Sequence, residues 1–399
     1  MPDGATMSDA QPVILAARRT PIGRFLGGLS RVPAPELGAH AIRHALGDAG
    51  IEPGSIEEVF MGCVLQAGVG QNPARQAALK AGIPAEVTAV TINKVCGSGL
   101  EAVMQAARAI RAGDVDLTVA GGMENMDLAP HFANVRTGIK YGPGTLEDHM
   151  AHDGLTCAFE SWPMGCAAEW IAEEHDISRE EQDRFSAQSH NRAEEAWAEG
   201  HFAKEVAPMT AEECHARAGV DADEGFRAGS TSEALGKLRA AFQKDGSVTA
   251  GNASQISDGG AAVIVSSAAK AAELGVTPRA RIVGYNTAGV EPKKLFWAPK
   301  IGIEQLLADH DLEVKDIDLF EINEAFAAQV LADIKGLSVP EDKLNIAGGG
   351  IALGHPIGAS GARVLVTLIH QLERTGGKRG ICSLCLGGGN AVSMLIERD

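Results

Sequence analysis

The order of hydrophobic and polar positions along the chain repeats itself. Residues 39–62 place apolar side chains at helical spacing, then an acidic turn and a short apolar run, which predicts an amphipathic helix, a turn and a strand. Residues 303–323 show the same pattern, so that Leu46 and Ile56 align with Leu307 and Ile317 at a shift of 261. The two segments therefore predict two copies of one α/β unit.

A second pair of segments repeats in the same order. The run NKVCGSGLEAVMQAARAI at 93–110 parallels HPIGASGARVLVTLIHQL at 355–372, at a shift of 262. Each run leads into a strand that ends in glycines, TVAGG in one copy and SLCLGG in the other. Two matched pairs in one order and at nearly one shift indicate a duplicated α/β domain.

A different kind of sequence separates the two copies. Residues 127–254 are rich in His, Glu and turn residues, and Ser178 with Glu181 predicts a capping box for a helix that Gly200 ends. After it, SDGGAAVIVSSAAKAAELG predicts a strand and a helix that complete the first copy. The predicted domains are therefore 8–126 with 255–277, an inserted segment at 127–254, and 278–399.

Composition and charge narrow the class of protein. A chain of 399 residues with 48 glycines and 4% aromatics suits a multi-domain α/β protein with aliphatic cores. A net charge of −17 argues against binding nucleic acid. No apolar run approaches the roughly 20 residues of a membrane span. The polar segment 1–10, in which Met7 is an alternative start, resembles no signal peptide, so we expect a cytoplasmic protein with no membrane partner.

Cys96 is the first candidate for chemistry. Seven cysteines thinly spread over the chain do not form a disulfide framework, so free thiols are expected. The run VCGSGL predicts a strand, a tight turn and a helix, with Cys96 at the helix N-terminus, where N–H groups and the dipole favour a thiolate and lower the pKa. The glycines would let an acyl group approach the backbone. A small buried cysteine with no chemical role fits the pattern equally well.

Three further residues stand in unusual surroundings. His355 lies between Gly354 and Pro356 in a glycine-rich turn, which favours a functional over a structural histidine. Cys382 and Cys385 form a C-x-x-C, but no second ligand pair exists for zinc and residues three apart on a strand face opposite sides. Cys385 remains a candidate single thiol. Asn323, in EINEAFA, is either an amide donor to an oxyanion or a turn residue.

Two glycine patterns predict no nucleotide site. Residues 348–354 have a dinucleotide-like spacing but lack the acidic residue on the next strand, and no phosphate-binding G-x-x-x-x-G-K-[ST] occurs. Taken together, the blocks NKVCGSGL, NEAFA, GGGIALGHPIGASGAR and CLGGGNAVSMLIE resemble the thiolase family, in that family's order. The resemblance implies two βαβαβαββ domains in α/β/α/β/α layers, with an inserted loop domain.

The resemblance also implies a mechanism. It assigns Cys96 as the nucleophile, His355 as the base that takes its proton, and Cys385 as the group that moves the α-proton of a second acetyl-CoA. Asn323, through a water, and His355 would stabilise the enolate, while the N–H groups of Cys96 and Gly387 would form a second oxyanion hole. No metal is implied, and no cofactor beyond coenzyme A as substrate and product.

The family comparison further implies how coenzyme A is held and how chains assemble. Arg227 would serve the adenine or phosphate end. The expected contacts with coenzyme A or the acyl chain are Leu155, Met164, Arg227, Phe242, Ala250, Ser254, Ala325 and Phe326. Members of the family form homodimers through the first half, and many form homotetramers through the inserted segment.

The substrate remains open between two acyl classes. The resemblance to short-chain members implies the reversible Claisen condensation of two acetyl-CoA to acetoacetyl-CoA and CoA, through an acetyl-cysteine intermediate. However, Pro163 replaces a histidine of many short-chain members, and Phe296–Trp297 replace small residues, which would change the pocket volume. A degradative thiolase for longer or unusual acyl chains is the alternative, and a non-catalytic CoA- or lipid-binding homologue is another. A ketosynthase is disfavoured because Cys385 fills its second histidine or asparagine position.

Overall fold

A computed structural model describes residues 9–399 of the chain; the alternative start at Met7 and residue 8, the predicted first domain boundary, lie outside the described residues. The strands of this part are β1 (Pro12–Arg19), β2 (Gly23–Arg24), β3 (Glu58–Gly62), β4 (Thr88–Ile92), β5 (Leu117–Asn125), β6 (His131–Phe132), β7 (Glu147–Asp148), β8 (Ser257–Ser267), β9 (Ala280–Gly289), β10 (Leu319–Ile322), β11 (Arg379–Leu386) and β12 (Asn390–Glu397).

The helices of the same part follow the predicted alternation with strands. They are α1 (Ala34–Ala49), α2 (Pro73–Lys80), α3 (Ser98–Ala112), α4 (Met164–Glu174), α5 (Arg179–Ala198), α6 (Ser232–Gly236), α7 (Ala268–Leu274), α8 (Ala298–Asp309), α9 (Ala327–Leu337), α10 (Gly350–Leu353) and α11 (Ile357–Thr375). None of them is both long and apolar enough to cross a membrane, a finding that covers residues 9–399.

Strand order repeats in the two halves, which confirms the predicted duplication. The first half runs β4-β3-β5-β8-β1, with β3 parallel to β4 and β5, and β8 antiparallel to β5 and β1. The second half runs β10-β11-β12-β9, with β10 parallel to β11, and Leu344 pairs in parallel with Phe320 where β4 would be expected. The halves join where Val13 and Ile14 of β1 pair with Arg281 and Ala280 of β9.

Five layers result from this arrangement. Helices α3 and α11 lie between the two half-sheets and bury an aliphatic core that includes Leu100, Val263, Leu365 and Met394. Helices α1 and α2 cover the outer face of the first half, and α8 and α9 cover the outer face of the second. The α/β/α/β/α fold class is thus confirmed, whereas the exact domain bounds at 8–126 with 255–277, 127–254 and 278–399 stay predictions.

The inserted segment is tied to the sheet by a buried ion pair. Arg19 at the end of β1 is 1% exposed and contacts Asp223 at 2.7 Å and Glu205 at 2.5 Å, both from the inserted segment. The predicted capping box of α5 is present at Ser178 and Glu181. Removing one partner of such a buried network leaves an uncompensated charge, so the insert is held rigidly beside the sheet.

Glycines allow α3 and α11 to cross closely. A methyl group on Gly99 would lie 2.7 Å from the backbone nitrogen of Ala362, and one on Gly361 would overlap Leu100. A methyl group on Gly97 would overlap the side chains of Leu386 and Val392. Gly97 and Gly99 are therefore needed for packing between the two halves, and the expectation that the glycines beside Cys96 admit an acyl group stays a prediction.

Gly361→Ala should lower the free energy of unfolding by about 1–3 kcal/mol, because the added methyl forces α3 and α11 apart. The matched control is Gly47→Ala on the exposed side of α1, where no atom lies within 4 Å of the added carbon. There the free energy should rise by roughly 0.5–1 kcal/mol because alanine favours a helix. Denaturant unfolding at one fixed protein concentration measures both. An unchanged free energy of unfolding in Gly361→Ala would contradict the tight crossing of α3 and α11.

Candidate active site

One cavity of about 650 Å³ collects the predicted chemical groups. Cys96, His355, Cys385 and Gly387 lie in its wall, where α3, α11 and β11 meet. The inserted segment supplies much of the remaining wall. The site therefore lies at the contact between the two halves and is covered by the insert.

Cys96 stands on a strained turn that ends at the N-terminus of α3. Val95 has φ of +47°, which is a rare conformation for a β-branched residue. Asn93 accepts a hydrogen bond from the Val95 N–H at 3.1 Å, and the Ser98 hydroxyl accepts from the Lys94 N–H at 2.8 Å and donates to the Val95 carbonyl at 2.6 Å. These bonds hold the turn and fix where the thiol points.

The Cys96 thiol is neutral in the resting site. Burial raises its pKa to about 12, and the nearby Glu124 carboxylate adds to the rise. The expectation of a lowered pKa at the helix N-terminus was wrong, because loss of water around the thiolate outweighs the favourable helix dipole. If Cys96 acts as a nucleophile, its thiol must therefore lose its proton during reaction rather than before it.

His355 is neutral, with its proton on Nδ1. Its Nδ1 lies 2.6 Å from the Ser360 hydroxyl oxygen, and that hydroxyl donates its one proton to the Pro356 carbonyl at 2.9 Å. Ser360 must therefore accept from Nδ1–H, which leaves Nε2 without a proton and able to act as an acceptor or a base. Burial, with Arg363 adding to the effect, lowers the pKa of His355 to about 3.

Asn323 presents its amide nitrogen to this base. The Asn323 Nδ2 lies 3.4 Å from His355 Nε2, and its Oδ1 accepts from the buried Arg363 guanidinium at 3.5 Å. A further contact of 3.3 Å joins Arg363 to Glu321. Because Arg363 binds the oxygen end, the N–H₂ end of the amide must face the active site.

Cys385 and Cys382 face opposite sides of β11, as predicted. Cys382 packs in the central core, whereas Cys385 lies in the cavity wall. Burial raises the pKa of Cys385 well above its usual range, and the neighbouring Cys96 and Asp333 raise it further. All seven cysteines are free thiols. Within residues 9–399, no three His, Cys, Asp or Glu side chains are placed to hold a metal ion.

Glu124 belongs to the site but was missed in the sequence. It is fully buried and accepts hydrogen bonds from the N–H groups of Val64 at 3.0 Å, Leu65 at 3.1 Å and Gly358 at 2.9 Å. Burial raises its pKa to about 7. The Glu124 carboxylate thus joins the loop after β3 to the first turn of α11, which follows His355 in the chain. A buried acid at the end of the run TVAGGMEN was the available signal.

The structure brings the predicted binding residues together in the same cavity. Its wall contains every one of Leu155, Met164, Arg227, Phe242, Ala250, Ser254, Ala325 and Phe326. Their contact with coenzyme A stays a prediction, as do the water held by Asn323 and the oxyanion hole at Cys96 and Gly387.

Only one of the two substituted aromatic residues lines the cavity. Pro163 and Phe296 are in its wall, and the Phe296 ring packs against Phe326 with centroids 5.4 Å apart. Trp297 instead stacks on His175 with centroids 4.0 Å apart, outside the cavity. The expectation that both aromatics change the pocket volume is therefore wrong for Trp297.

Two family models from one family match this chain over almost its whole length. The model described as "Thiolase, N-terminal domain" matches residues 12–269, and that described as "Thiolase, C-terminal domain" matches residues 276–398. A protein of Cupriavidus necator named acetyl-CoA acetyltransferase is 50% identical over 391 residues, which is 97% of this chain and 99% of that protein.

Other similar proteins have the same or a closely related name. A Pseudomonas aeruginosa protein of the same name is 50% identical over 97% of this chain and 99% of its own length. A Staphylococcus aureus protein named probable acetyl-CoA acyltransferase is 48% identical over 97% of this chain and 98% of its own. The crystal structure of a Bacillus anthracis acetyl-CoA acetyltransferase superposes with a TM-score of 0.95 at 43% identity, covering 97% of this chain and 98% of the other.

Alkylation of Cys96 by iodoacetamide should accelerate continuously from pH 6 to pH 9, roughly tenfold per pH unit, because the thiolate is the reactive form and stays a minor species below the thiol's pKa. That pKa is about 12, and His355, with a pKa of about 3, adds no inflection in this range. Mass spectrometry of the Cys96 peptide gives the rate, and Cys96→Ala identifies the signal. A plateau near neutral pH would reveal a preformed thiolate–imidazolium pair and contradict the neutral site.

Proposed function

This chain belongs to the thiolase family, and we propose that it catalyses the reversible condensation of two acetyl-CoA molecules to acetoacetyl-CoA and CoA, the reaction of an acetyl-CoA acetyltransferase. The observation that carries the proposal is the meeting of Cys96, His355 and Cys385 in one cavity. The full-length relatives named acetyl-CoA acetyltransferase support the same acyl class.

In acyl transfer to Cys96, Nε2 of His355 is the proposed acceptor of the thiol proton. Because the pKa values of the two groups are about 12 and about 3, a separate ion pair is strongly disfavoured before the substrate arrives. We infer that the proton moves while sulfur bonds to the thioester carbonyl carbon, so general-base catalysis and attack occur together. The N–H groups of Cys96 and Gly387 are proposed to bind the developing oxyanion.

In the cleavage direction Cys385 acts as an acid. The sulfur of Cys96 attacks C3 of acetoacetyl-CoA, the C2–C3 bond breaks, and the Cys385 thiol donates its proton to C2 of the departing acetyl-CoA enolate. The proton held by His355 then restores the Cys385 thiol, and CoA releases the acetyl group from Cys96 as a second acetyl-CoA. The raised pKa of Cys385 keeps it protonated for this role.

Condensation reverses these steps. The Cys385 thiolate removes the α-proton of acetyl-CoA, and the enolate carbon attacks acetyl-Cys96. Asn323, whose amide nitrogen faces the active site, and His355 are proposed to stabilise the enolate oxygen. Condensation thus needs the disfavoured thiolate form of Cys385, whereas cleavage uses the favoured thiol form.

We also propose that the enzyme works in the cytoplasm, as a homotetramer or homodimer, without a metal or a cofactor beyond coenzyme A. The inserted segment exposes apolar side chains around the β6–β7 hairpin, at Val135, Ile139 and Leu146, which supports assembly through this segment. Light scattering of the purified protein tests the assembly. Unchanged activity after dialysis against a chelator would support metal independence.

A second candidate function is the cleavage of longer 3-ketoacyl-CoA substrates. The aromatic ring of Phe296, where many short-chain members of the family are expected to have a small residue, takes up space in the cavity wall and weighs against this function. A non-catalytic CoA-binding role is disfavoured, because Cys96, His355 and Cys385 all lie in the cavity wall and Asn323 contacts His355 from behind that wall.

Cys96→Ala should abolish both acetylation of the protein by acetyl-CoA and thiolysis of acetoacetyl-CoA. Cys385→Ala should keep the first of these half-reactions and lose the second. Without Cys385 the protein should still become acetylated on Cys96 by acetyl-CoA, but thiolysis of acetoacetyl-CoA should fall by about 10³-fold or more, since no group moves the α-proton. Intact-mass measurement gives acetylation and the loss of acetoacetyl-CoA absorbance gives thiolysis.

The matched control for this experiment is Cys382→Ala, which alters the other face of β11 and should keep both half-reactions. Full thiolysis by Cys385→Ala would remove Cys385 from the mechanism. Loss of acetylation in Cys385→Ala would show that the site itself had been damaged.

Phe296→Gly should shift the ratio of kcat/KM between a longer 3-ketoacyl-CoA and acetoacetyl-CoA by about 10-fold in favour of the longer substrate, because it removes a ring from the cavity wall. Trp297→Phe is the control and should leave the ratio unchanged, since Trp297 stacks outside the cavity. Initial rates over a chain-length series give the ratios. An unchanged ratio in Phe296→Gly would show that this ring does not contact the acyl chain.

A further inference from the structure

The charge of the cavity wall differs from that of the protein. The chain carries a net charge of −17, yet no Asp or Glu lies among the cavity-lining residues. Two arginines, Arg24 and Arg227, do line the cavity. Both side chains are exposed, which places them at the mouth of the cavity rather than beside the thiols. The mouth is therefore a local cationic region on an acidic protein, which suits an anionic ligand.

Neither guanidinium forms an ion pair in the part of the chain that the structure describes. Within residues 9–399, no carboxylate oxygen lies within 4.0 Å of a side-chain nitrogen of Arg24 or Arg227, whereas the buried Arg19 pairs with Asp223 at 2.7 Å. An unpaired guanidinium beside a cavity keeps its donors available for a phosphate, which it binds through two parallel hydrogen bonds.

The backbone that carries Arg24 is fixed by acidic side chains. The Glu224 carboxylate accepts from the N–H of Arg24 at 3.2 Å and of Gly28 at 2.9 Å. Asp127 accepts from the N–H of Leu26 at 2.8 Å. These carboxylates bind main-chain groups, so they position the segment without occupying the arginine head group.

Local strain in the same segment indicates that its conformation is imposed. Leu26 has φ of +55° and is 71% exposed, although a branched side chain disfavours that region. Arg24 also pairs with Ser257 of β8, next to the cavity residue Ile256. Strand pairing on one side and carboxylates on the other thus hold Arg24 and Phe25 against the cavity mouth.

We propose that Arg24 binds a phosphate of coenzyme A, together with Arg227, at the mouth of the cavity. This inference rests on the proposed function, in that coenzyme A is the anionic part of the substrate. The nucleotide end of coenzyme A carries a pyrophosphate and a 3′-phosphate, and one arginine can bind only one of these groups bidentately. Two cations at the mouth match two anionic groups on the ligand.

Arg24→Ala should raise the KM for acetoacetyl-CoA about 10-fold at low ionic strength and leave kcat unchanged, because the lost contact is distant from the thiols. The same variant should keep the wild-type KM for acetoacetyl-pantetheine, which has the thioester arm but no phosphates. Arg24→Lys should retain part of the affinity. Arg31→Ala is the matched control, since it removes an equal charge from an exposed residue of the same segment that is not in the cavity wall.

An equal rise in KM for acetoacetyl-pantetheine would overturn the inference, because it would show that Arg24 supports the fold of the segment rather than a phosphate. An unchanged KM for both substrates would overturn it as well. Equilibrium binding of free CoA distinguishes this failure from that of the proposed function. If the wild-type protein binds CoA but does not cleave acetoacetyl-CoA, a tenfold weaker Kd in Arg24→Ala still supports the phosphate contact, and an equal Kd refutes it.

Discussion

The close crossing of α3 and α11 is the packing constraint on which the rest of the structure depends. Cys96 lies two residues before α3, and His355 lies two residues before α11. Gly99 and Gly361 lie within the first two turns of these helices, where any side chain would separate them. The duplication therefore creates the site, because two equivalent helices meet at their N-terminal ends, one with the proposed nucleophile and the other with the proposed base.

Burial at this meeting point determines the charge states of the site. The same exclusion of water raises the pKa of Cys96 and Cys385 and lowers that of His355, so all three groups are neutral at rest. A neutral site avoids the cost of a buried ion pair. It also means that the substrate must take part in creating charge, since the negative charge that leaves sulfur appears on the thioester oxygen.

Features that depend on residues close together in the sequence were predicted correctly. Features that depend on contacts between distant residues were not. Repeated helix and strand patterns gave the duplication, and the strand–turn–helix run around Cys96 gave its position. The direction of the Cys96 pKa and the role of Glu124 could not be read locally, because Glu124 binds Val64 and Gly358, 60 and 234 positions away. Phe296 and Trp297 are neighbours in sequence, yet only the packing of α9 against the turn before α8 decides which one enters the cavity.

Chemistry and substrate selection are carried by different parts of the chain. The reacting side chains lie on the two packed halves, where a shift of Gly99 or Gly361 would displace them. Much of the cavity wall comes from the inserted segment, which includes Pro163, and from the turn before α8, which includes Phe296. Because the walls do not support the α3–α11 contact, their residues can change the accepted acyl group while Cys96 and His355 keep their geometry. Substitutions at Pro163 and Phe296 are therefore compatible with unaltered thiolase chemistry.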